Sequence, residues 1–334
     1  MPDYKVVHGT KVQNFSSDPP APAAGQVWYN STTKILKINK GALSWVTGGA
    51  LNTGRTSGAG GAGSSPTASM AFSGDPRAGG ASVKTELFDG SSWTEVNDLN
   101  QVRSAGASAM RGTQTAALWF AGVDVSGGSV VYKDETETWN GTNWTEVNDV
   151  NTGRYYIGGT GTNTSALAFG GQNPTSTKLN ATEKWNGTNW TEVNNLNVVK
   201  STMGGAGVSN TSALSFGGKV NPGGALAATT ELWNGTNWTE VNDLNTARGF
   251  PGGAGIVTSA LCIGGEVPPG ETASAVTESW NGTNWTEVND LVTARIDTTG
   301  SGASSSSAIA FGGNPGSTTI TQIWGGGVQT IDIG

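Results

Sequence analysis

The sequence predicts an all-β fold, a six-bladed β-propeller carrying an N-terminal extended arm. Three observations point there. Tryptophans recur at a nearly fixed interval: Trp45, Trp93, Trp144, Trp190, Trp238 and Trp285 are separated by 48, 51, 46, 48 and 47 residues. Apolar runs ending in small residues keep the same beat, at Phe72-Ser73-Gly74, Phe120-Ala121-Gly122, Phe169-Gly170-Gly171, Phe216-Gly217-Gly218, Ile263-Gly264-Gly265 and Phe311-Gly312-Gly313. Asn-Gly pairs sit between aromatic, β-prone runs, as in Trp139-Asn140-Gly141-Thr142-Asn143-Trp144. That is a strong hairpin signal, because both central turn positions need positive φ. A period of about 40–50 residues marks an array of supersecondary units.

One unit, Asn197 to Asn242, shows the elements in order. Gly204-Gly205-Ala206-Gly207 opens a strand, a, whose small residues suit the crowded axis of a radial array. Thr211 to Phe216 is strand b, closed by Gly217-Gly218. A loop, Lys219 to Ala228, leads to strand c, Thr229 to Trp233. Asn234-Gly235 turns the chain into strand d, Trp238 to Val241, the outermost. Four short strands with Gly-rich turns describe one propeller blade. Aromatics of strands c and d then fill the wedge between neighbouring blades.

Counting predicts how the array ends. Strand c is marked six times, by Phe88, Trp139, Trp185, Trp233, Trp280 and Trp324, but no strand-d phrase follows Trp324. The unmatched strand d is Leu43-Ser44-Trp45-Val46, ahead of the first strand a. The N-terminal strand is therefore expected to complete the last blade and close the ring, which removes exposed sheet edges. Two alternatives stay open: a seventh, incomplete blade from the arm, and Val328 to Ile333 as the last outer strand. The expected organisation is an arm with a short hairpin over residues 1–42, a propeller over 43–325 and a tail over 326–334.

Bulk properties exclude several classes. Net charge is −7, no basic cluster exists, and duplex nucleic acid is not an expected partner. No apolar run is long enough to span a bilayer, and Met1-Pro2-Asp3-Tyr4-Lys5 has no apolar signal core. The one cysteine, Cys262, lies in the apolar run Ala260-Leu261-Cys262-Ile263 and reads as a buried thiol. His8 is the one histidine, and Asp-rich calcium loops are absent, so no metal, cofactor or histidine-based catalysis is expected. Sequons such as Asn140-Gly141-Thr142 coincide with turn chemistry and are read as turns.

An apolar strand ending in Gly-Gly, a variable loop, an aromatic, then Trp about five residues later resembles the kelch repeat over residues of about 50–325. The Asn-Gly-Thr-Asn-Trp uniformity departs from that family and suggests recent internal duplication. In the arm, Gly25-Gln26-Val27-Trp28-Tyr29-Asn30-Ser31-Thr32-Thr33-Lys34-Ile35-Leu36-Lys37 resembles a short hairpin of tail-fibre and other virion proteins of tailed phages. The Gly-, Ser- and Asn-rich phrasing is similar to structural proteins of marine phages. Copper oxidases of the kelch type need histidines and a Tyr–Cys partnership that this chain lacks. Sialidase-type propellers need a non-repeating arginine cluster, whereas here the arginines repeat, apart from Arg77 and Arg111.

The resemblances imply a non-enzymatic virion structural or adhesion protein. Its arm, stiffened by Pro19-Pro20-Ala21-Pro22, would anchor to a neighbouring virion protein. Its loop face would bind a host surface glycan or protein, and self-association in the particle stays open. The alternatives are a purely structural decoration protein, a cellular kelch-type adaptor and, more remotely, a glycosidase.

Two sets of residues are candidates for binding. Arg55, Arg103, Arg154, Lys200, Arg248 and Arg295 precede strand a in every unit. They read either as a ring of positive charge at a channel mouth or as repeated salt bridges and carbonyl clamps, with Glu95, Glu146, Glu192, Glu240 and Glu287, or Asp98, Asp149, Asp243 and Asp290, as partners. The structural role is the favoured one. The second set breaks the repeat: Tyr155 and Tyr156 at a strand-a position, and Asp75 and Arg77 in the first b–c loop. The b–c loops (Gly74 to Val83, Gly122 to Glu135, Gly171 to Ala181, Gly218 to Ala228, Gly265 to Ala275 and Gly313 to Ser317) vary most, and share a face with the d–a crossings. Variable loops on a rigid scaffold are where recognition usually resides. Stacking of carbohydrate on the tryptophans is disfavoured against core packing.

Overall fold

A computed structural model describes residues 12–19, 26–39, 43–56, 60–75, 82–127, 129–221, 223–269, 272–316, 318–325 and 328–331. The fold is all-β. Among the described residues no helix is long and apolar enough to cross a membrane. The chain divides into two compact units, residues 45–324 and a smaller one made of residues 1–44 and 325–334.

The larger unit is organised as four-stranded antiparallel sheets of the propeller kind. In chain order, the inner strands are Gly60–Ser65, Ala107–Ser108, Gly158–Thr162, Gly204–Ser209, Gly252–Ile256 and Thr299–Ser304. They are called the first to sixth sheets below. Each inner strand pairs with strand b, then c, then d. In the sixth sheet the outermost strand is Ser44–Thr47, paired beside Thr321–Gly325. The Trp45 and Trp324 rings lie 5.2 Å apart, matching 5.3 Å for Trp280 and Trp285 in the fifth sheet.

Crowding explains the inner strands. A Cβ on Gly253 would lie 2.1 Å from the carbonyl oxygen of Gly205, and one on Gly300 would lie 2.4 Å from that of Gly253. Adjacent inner strands approach backbone to backbone, and only glycine permits that. Further out, the gap between sheets widens and aromatics fill it. Phe72 of the first sheet meets Trp144 of the second at 4.9 Å, and Phe120 of the second meets Trp190 of the third at 4.7 Å, both edge to face. The strand-d tryptophans are 4–5% exposed and those of strand c about 1%, so they are core, as the packing argument required.

A buried hydrogen bond repeats between sheets. Each strand-d indole N–H donates to the hydroxyl of the threonine three residues before the strand-c aromatic of the preceding sheet. Trp144 bonds Thr85, Trp190 bonds Thr136, Trp238 bonds Thr182 and Trp285 bonds Thr230, all at 2.9–3.0 Å. Trp93 of the first sheet bonds Thr321 of the sixth at 2.9 Å, and Trp45 bonds Thr277 of the fifth at 3.0 Å. On the rim, Asn97, Asn148, Asn194 and Asn242 donate to the Thr-Asn end of the next sheet's hairpin, for example Asn97 to Thr142 O and Asn143 Oδ1. Within that hairpin Asn140 Oδ1 accepts the N–H groups of Thr142 and Asn143.

In the smaller unit, the expected hairpin is present, Val27–Asn30 against Ile35–Asn39, with Gln13–Phe15 parallel to the first strand. Val328–Ile331 pairs antiparallel with Ile35–Asn39. The tail, read as a separate segment or as a spare outer strand, instead extends the arm's sheet, because the sixth sheet's outer position is taken by Ser44–Thr47. Trp28 is fully buried, and its indole, Asn30 and Lys37 all donate to the Asp18 carboxylate. These donors, Lys37 first, hold Asp18 down at about 2. The Pro19-to-Pro22 segment lies largely outside the described residues.

Replacing any of these threonines by valine leaves an indole N–H buried without an acceptor. A loss of about 1–3 kcal/mol is expected, measured by urea unfolding of Thr85→Val and Thr182→Val. Thr277→Val should cost as much. A negligible loss there would mean that the strand carrying Trp45 contributes no support to the fifth sheet.

Candidate functional site

The six cations do not form a charged rim. Arg55, Arg103, Arg154, Lys200, Arg248 and Arg295 are all fully buried. The carboxylates they meet lie on strand c, not at the predicted strand-d or downstream positions. Arg55 pairs with Glu86 at 2.5 Å, Arg103 with Glu137 at 3.2 Å, Arg154 with Glu183 at 2.5 Å and Lys200 with Glu231 at 3.5 Å, and Arg248 pairs with Glu278. The predicted partners Glu146, Glu192, Glu240 and Glu287 are exposed. Glu95 pairs with Lys84, and Asp98, Asp149 and Asp243 accept the N–H of the strand-c threonine. The reason is geometric. The d–a crossing passes beneath strand c, and the second residue of Thr-Glu-x-Trp points inward at the cation.

Three of the cations also grip carbonyls at the two ends of the b–c loop, while Arg103, Arg154 and Lys200 each bond a carbonyl at one end, Trp119 O, Gly170 O and Thr229 O. Arg55 donates to Ser73 O and Lys84 O, both at 2.9 Å, Arg248 to Gly264 O and Val276 O, and Arg295 to Gly312 O and Ile320 O. The other carboxylate oxygen accepts from the crossing chain. Asn52, through both its backbone N–H and its side-chain amide, donates to Glu86 Oε2, and Asn100, Asn151, Asn197 and Asn245 repeat this with their own glutamates. The sixth unit departs at both positions together. Gln322 replaces the glutamate and accepts from Arg295 at 2.6 Å, while Val292, 64% exposed, stands where the asparagine would be. Burial without a carboxylate pulls Arg295 down to about 10.

The clamp sets the two residues that follow each cation. The first makes a backbone bridge to the second residue of the b–c loop: Thr56 to Asp75, Ser104 to Val123, Tyr155 to Gln172, Ser201 to Lys219, Gly249 to Glu266 and Ile296 to Asn314. Crossings and loops thus form one face. The second residue is left-handed in every described case: Ala105 (φ 55°), Tyr156 (51°), Thr202 (58°), Phe250 (50°) and Asp297 (57°). These residues are joined in a chain of backbone bonds, Tyr156 N–H to Ala105 O, Thr202 to Tyr156, Phe250 to Thr202 and Asp297 to Phe250, at 2.7–3.1 Å. The equivalent of the first unit, Ser57, lies outside the described residues, as do Arg77 and His8.

Inside this chain of bonds lies a well of about 110 Å³. The left-handed residues stand at its entrance, glycines of the inner strands form its walls, and Met110 contributes to its lining. Arg111, which follows, donates to Gly302 O across the axis at 2.9 Å. Aromatic rings lead into it. Tyr132 contacts Tyr155 at 5.4 Å, Tyr155 contacts Tyr156 at 4.9 Å, and Tyr156 meets Phe250 edge to face at 5.0 Å. Lys219 places its ammonium 5.1 Å from the Phe250 ring and 2.7 Å from Glu266. Thr202 Oγ1 is buried and accepts or donates no bond within the protein. Burial, then the negative charges of Asp297, Asp75 and Glu266, push the Tyr156 phenol up to about 12.

Of the sequence candidates, Tyr155 and Tyr156 are at the mouth and Asp75 is on the bridge ring around it, while the cations lie behind, inside the clamps. Thr202, Phe250, Asp297 and Tyr132 were not singled out. Alignment on the position two residues after each cation would have found the first three, since it reads Ser57, Ala105, Tyr156, Thr202, Phe250, Asp297 in otherwise similar units. Among the described residues no group of three or more His, Cys, Asp or Glu could hold a metal. Cys262 is buried, and desolvation raises its thiol to about 12.

No family model matches the sequence. No curated protein matches it. Among solved structures, the chain is similar to that of YjhT, a β-propeller-like fold, with a TM-score of 0.66 and 11% identity over 85% of this chain and 99% of that one. At that identity the likeness establishes the fold alone.

Two outcomes test the clamp. Burial, partly offset by Glu231, lowers Lys200 to about 8, against about 10.4 in the unfolded chain. Between those values the unfolded chain binds the extra proton, so stability rises with pH across the window. The cost of burying the ammonium is present in full below about pH 8 and is relieved by about pH 10.4. In Lys200→Arg this rise should vanish, read as the difference in urea midpoint between the two proteins from about pH 7 to about pH 11. Separately, Gln322→Glu combined with Val292→Asn should rebuild the sixth clamp and add about 1–3 kcal/mol, more than the sum of the single changes.

Proposed function

We propose that this chain is a non-enzymatic structural and adhesion protein of a tailed-phage particle. Its six sheets act as the blades of one closed, kelch-like propeller, with the strand carrying Trp45 sealing the ring. The hairpin unit attaches the protein to a neighbouring virion protein, and the face of crossings and b–c loops binds a host surface glycan or protein. The propeller reading is supported by the Trp–Thr bonds, which link each sheet to its predecessor and the first to the sixth. The virion reading is supported by the resemblance of the arm phrase to tail-fibre hairpins.

One observation carries the recognition reading. At the entrance of the well the chain places Tyr, Thr, Phe, Asp and Ala in a left-handed conformation that costs an L-residue about 1 kcal/mol or more. Glycine would adopt it freely, and this chain uses 52 glycines elsewhere. Side chains kept at that cost, beside an aromatic ladder, are suited to contact with a ligand. Binding, not turnover, is favoured because the repeated charge pairs are enclosed as clamps.

The test is binding of purified protein to host cells. Saturable binding is expected, weakened at least about tenfold in Tyr132→Ser/Tyr155→Ser with an unchanged unfolding midpoint. Absence of cell binding, with every site on the particle occupied, would overturn adhesion in favour of a decoration role.

A further inference from the structure

We propose that the axial well holds the hydroxyl-bearing end of an uncharged sugar unit, the tip of a surface glycan. This rests on the recognition reading above and commits the loop face to a glycan, not a protein. The inner strands leave backbone groups unpaired along the axis. Ser108, Gly159, Gly205, Gly253 and Gly300 occupy one register position, each opposite the residue that precedes the strand-b Phe or Ile. Gly61 is the equivalent in the first sheet. In an antiparallel pair, hydrogen-bonded and non-hydrogen-bonded positions alternate. Ala109 N–H donates to Leu118 O, so the next pair, Ser108 with Trp119, is a non-bonded one. Other sheets agree. Gly61 exchanges both its backbone bonds with Ser108 Oγ. Two residues further along their strands, Gly161, Gly207 and Gly302 accept from Arg111 N–H, Thr160 Oγ1 and the Arg111 guanidinium. At this register position N–H and C=O therefore point away from strand b, toward the axis. All five residues are buried and line the well. Among the described residues no crossing, loop or side chain bonds their backbone groups. Thr202 lines the same well, is 7% exposed, and carries a hydroxyl with no partner within the protein. Buried polar groups of this kind are costly unless something bonds them.

Such a wall selects its guest by the kind of hydrogen bond the guest makes. Each of the five residues offers one N–H and one C=O, so donors and acceptors are matched. An ammonium only donates, and a carboxylate or phosphate only accepts, so either leaves half of the wall unmet. A hydroxyl does both from one atom. Charge at the mouth does not decide the matter. Asp75, Lys219 and Asp297 each have an interaction of their own, and Lys178, half-buried on the same face, donates to Asn221. Size and shape point to the same guest. About 110 Å³ exceeds the roughly 30 Å³ share of one water and admits one compact unit. Arg111 braces the far end, its N–H on Gly161 O of the third sheet and its guanidinium on Gly302 O of the sixth. The guest therefore enters end-on from the loop face instead of threading through as an extended peptide. At the entrance the Tyr156 and Phe250 rings, set at 86° to one another, offer apolar surface to the C–H face of a pyranose.

The experiment uses the full chain, with isothermal titration calorimetry for affinity and saturation-transfer NMR for contact. The sugar probes are the methyl α-glycosides of D-glucose, D-galactose and D-mannose. The comparison probes, at matched ionic strength, are tetrahydropyran-2-methanol, which keeps the ring and loses its hydroxyls, N-acetylglycine methylamide as the peptide, sodium D-glucuronate and D-glucosamine hydrochloride. Saturable 1:1 binding of at least one glycoside is expected, with the tetrahydropyran and the capped glycine at least about tenfold weaker and neither charged sugar tighter. Tyr156→Asn, which keeps a residue tolerant of the left-handed conformation, should weaken binding about tenfold. Phe250→Leu should weaken it about threefold or more, and serves as the second variant if Tyr156→Asn unfolds. No saturable binding of any glycoside would overturn the proposal and leave the wall to water alone. Tighter binding of a charged sugar, binding of the tetrahydropyran or the capped glycine within about tenfold of the best glycoside, or unchanged binding in both variants would also overturn it. If cells are bound and the glycosides are not, the well assignment alone falls. If the glycosides bind and cells do not, the adhesion reading alone falls.

Discussion

Every crossing from the outer strand of one sheet to the inner strand of the next is held by one buried cation, and the face formed by the crossings and the b–c loops depends on it. Burying an ion pair is expensive, and its net stabilisation over an apolar core is small, but removing one partner costs about 3–5 kcal/mol. The clamp's value is therefore positional. A guanidinium has five donors in a rigid fork. Arg248 spends them on Glu278, on a carbonyl at the end of strand b, on one before strand c and on Thr246 in its own crossing. One side chain thus fixes the crossing, both ends of the b–c loop and the third strand of the same sheet. Lysine cannot reproduce the fork, and Lys200 accordingly sits 3.5 Å from its carboxylate and 3.4 Å from Thr229 O.

The near-identity of the repeats has a physical basis in addition to duplication. In Asn-Gly-Thr-Asn-Trp-Thr-Glu-Val-Asn, most positions are committed to a bond in the repeat or to its neighbour. The first Asn closes the turn, and Gly141 takes the positive φ (96°) the hairpin needs. The second Asn accepts from the preceding sheet, the Trp donates to that sheet's threonine, and the last Asn donates to the following sheet. A substitution at any of these positions breaks an interface shared by two units. Uniformity is what a repeating interface demands.

This explains what could be read from the residues and what could not. The strands, their order, the existence of the hairpins and the place of Ser44–Thr47 were legible because turn residues and the apolar period are local signals, but the turn itself is a four-residue loop in which Gly141 and not Asn140 has positive φ, so the expectation of positive φ at both positions did not hold. The burial of the tryptophans followed from their periodicity. The carboxylate partners were misplaced because each of the first five units offers two glutamates, one on strand c and one on strand d, and sequence spacing does not tell which one the crossing passes beneath. The tail was misjudged for a related reason: Val328 to Ile333 is β-prone, and β-propensity does not say which of two open edges it will join. Tyr155 and Tyr156 stood out as interruptions of a pattern, but Phe250 and Asp297 were hidden, since a left-handed φ leaves no mark on a non-glycine residue.

The contrast between uniform and variable positions has a mechanical consequence. A scaffold whose inter-sheet bonds repeat tolerates little change in its body, so variation is confined to side chains that no neighbouring unit requires. The left-handed position satisfies that condition well. At Tyr156, Thr202 and Phe250 both the backbone N–H and the C=O are occupied by the adjacent units, which fixes the main chain, and the residues at this position line the well. The main-chain bonds are indifferent to the side chain, and the five described units accordingly carry alanine, tyrosine, threonine, phenylalanine and aspartate in one geometry. The strain is sustained because the clamp two residues earlier and the bridge one residue earlier over-determine the backbone there. The same cations that were candidates for holding a ligand hold instead the segment on which side chains can differ.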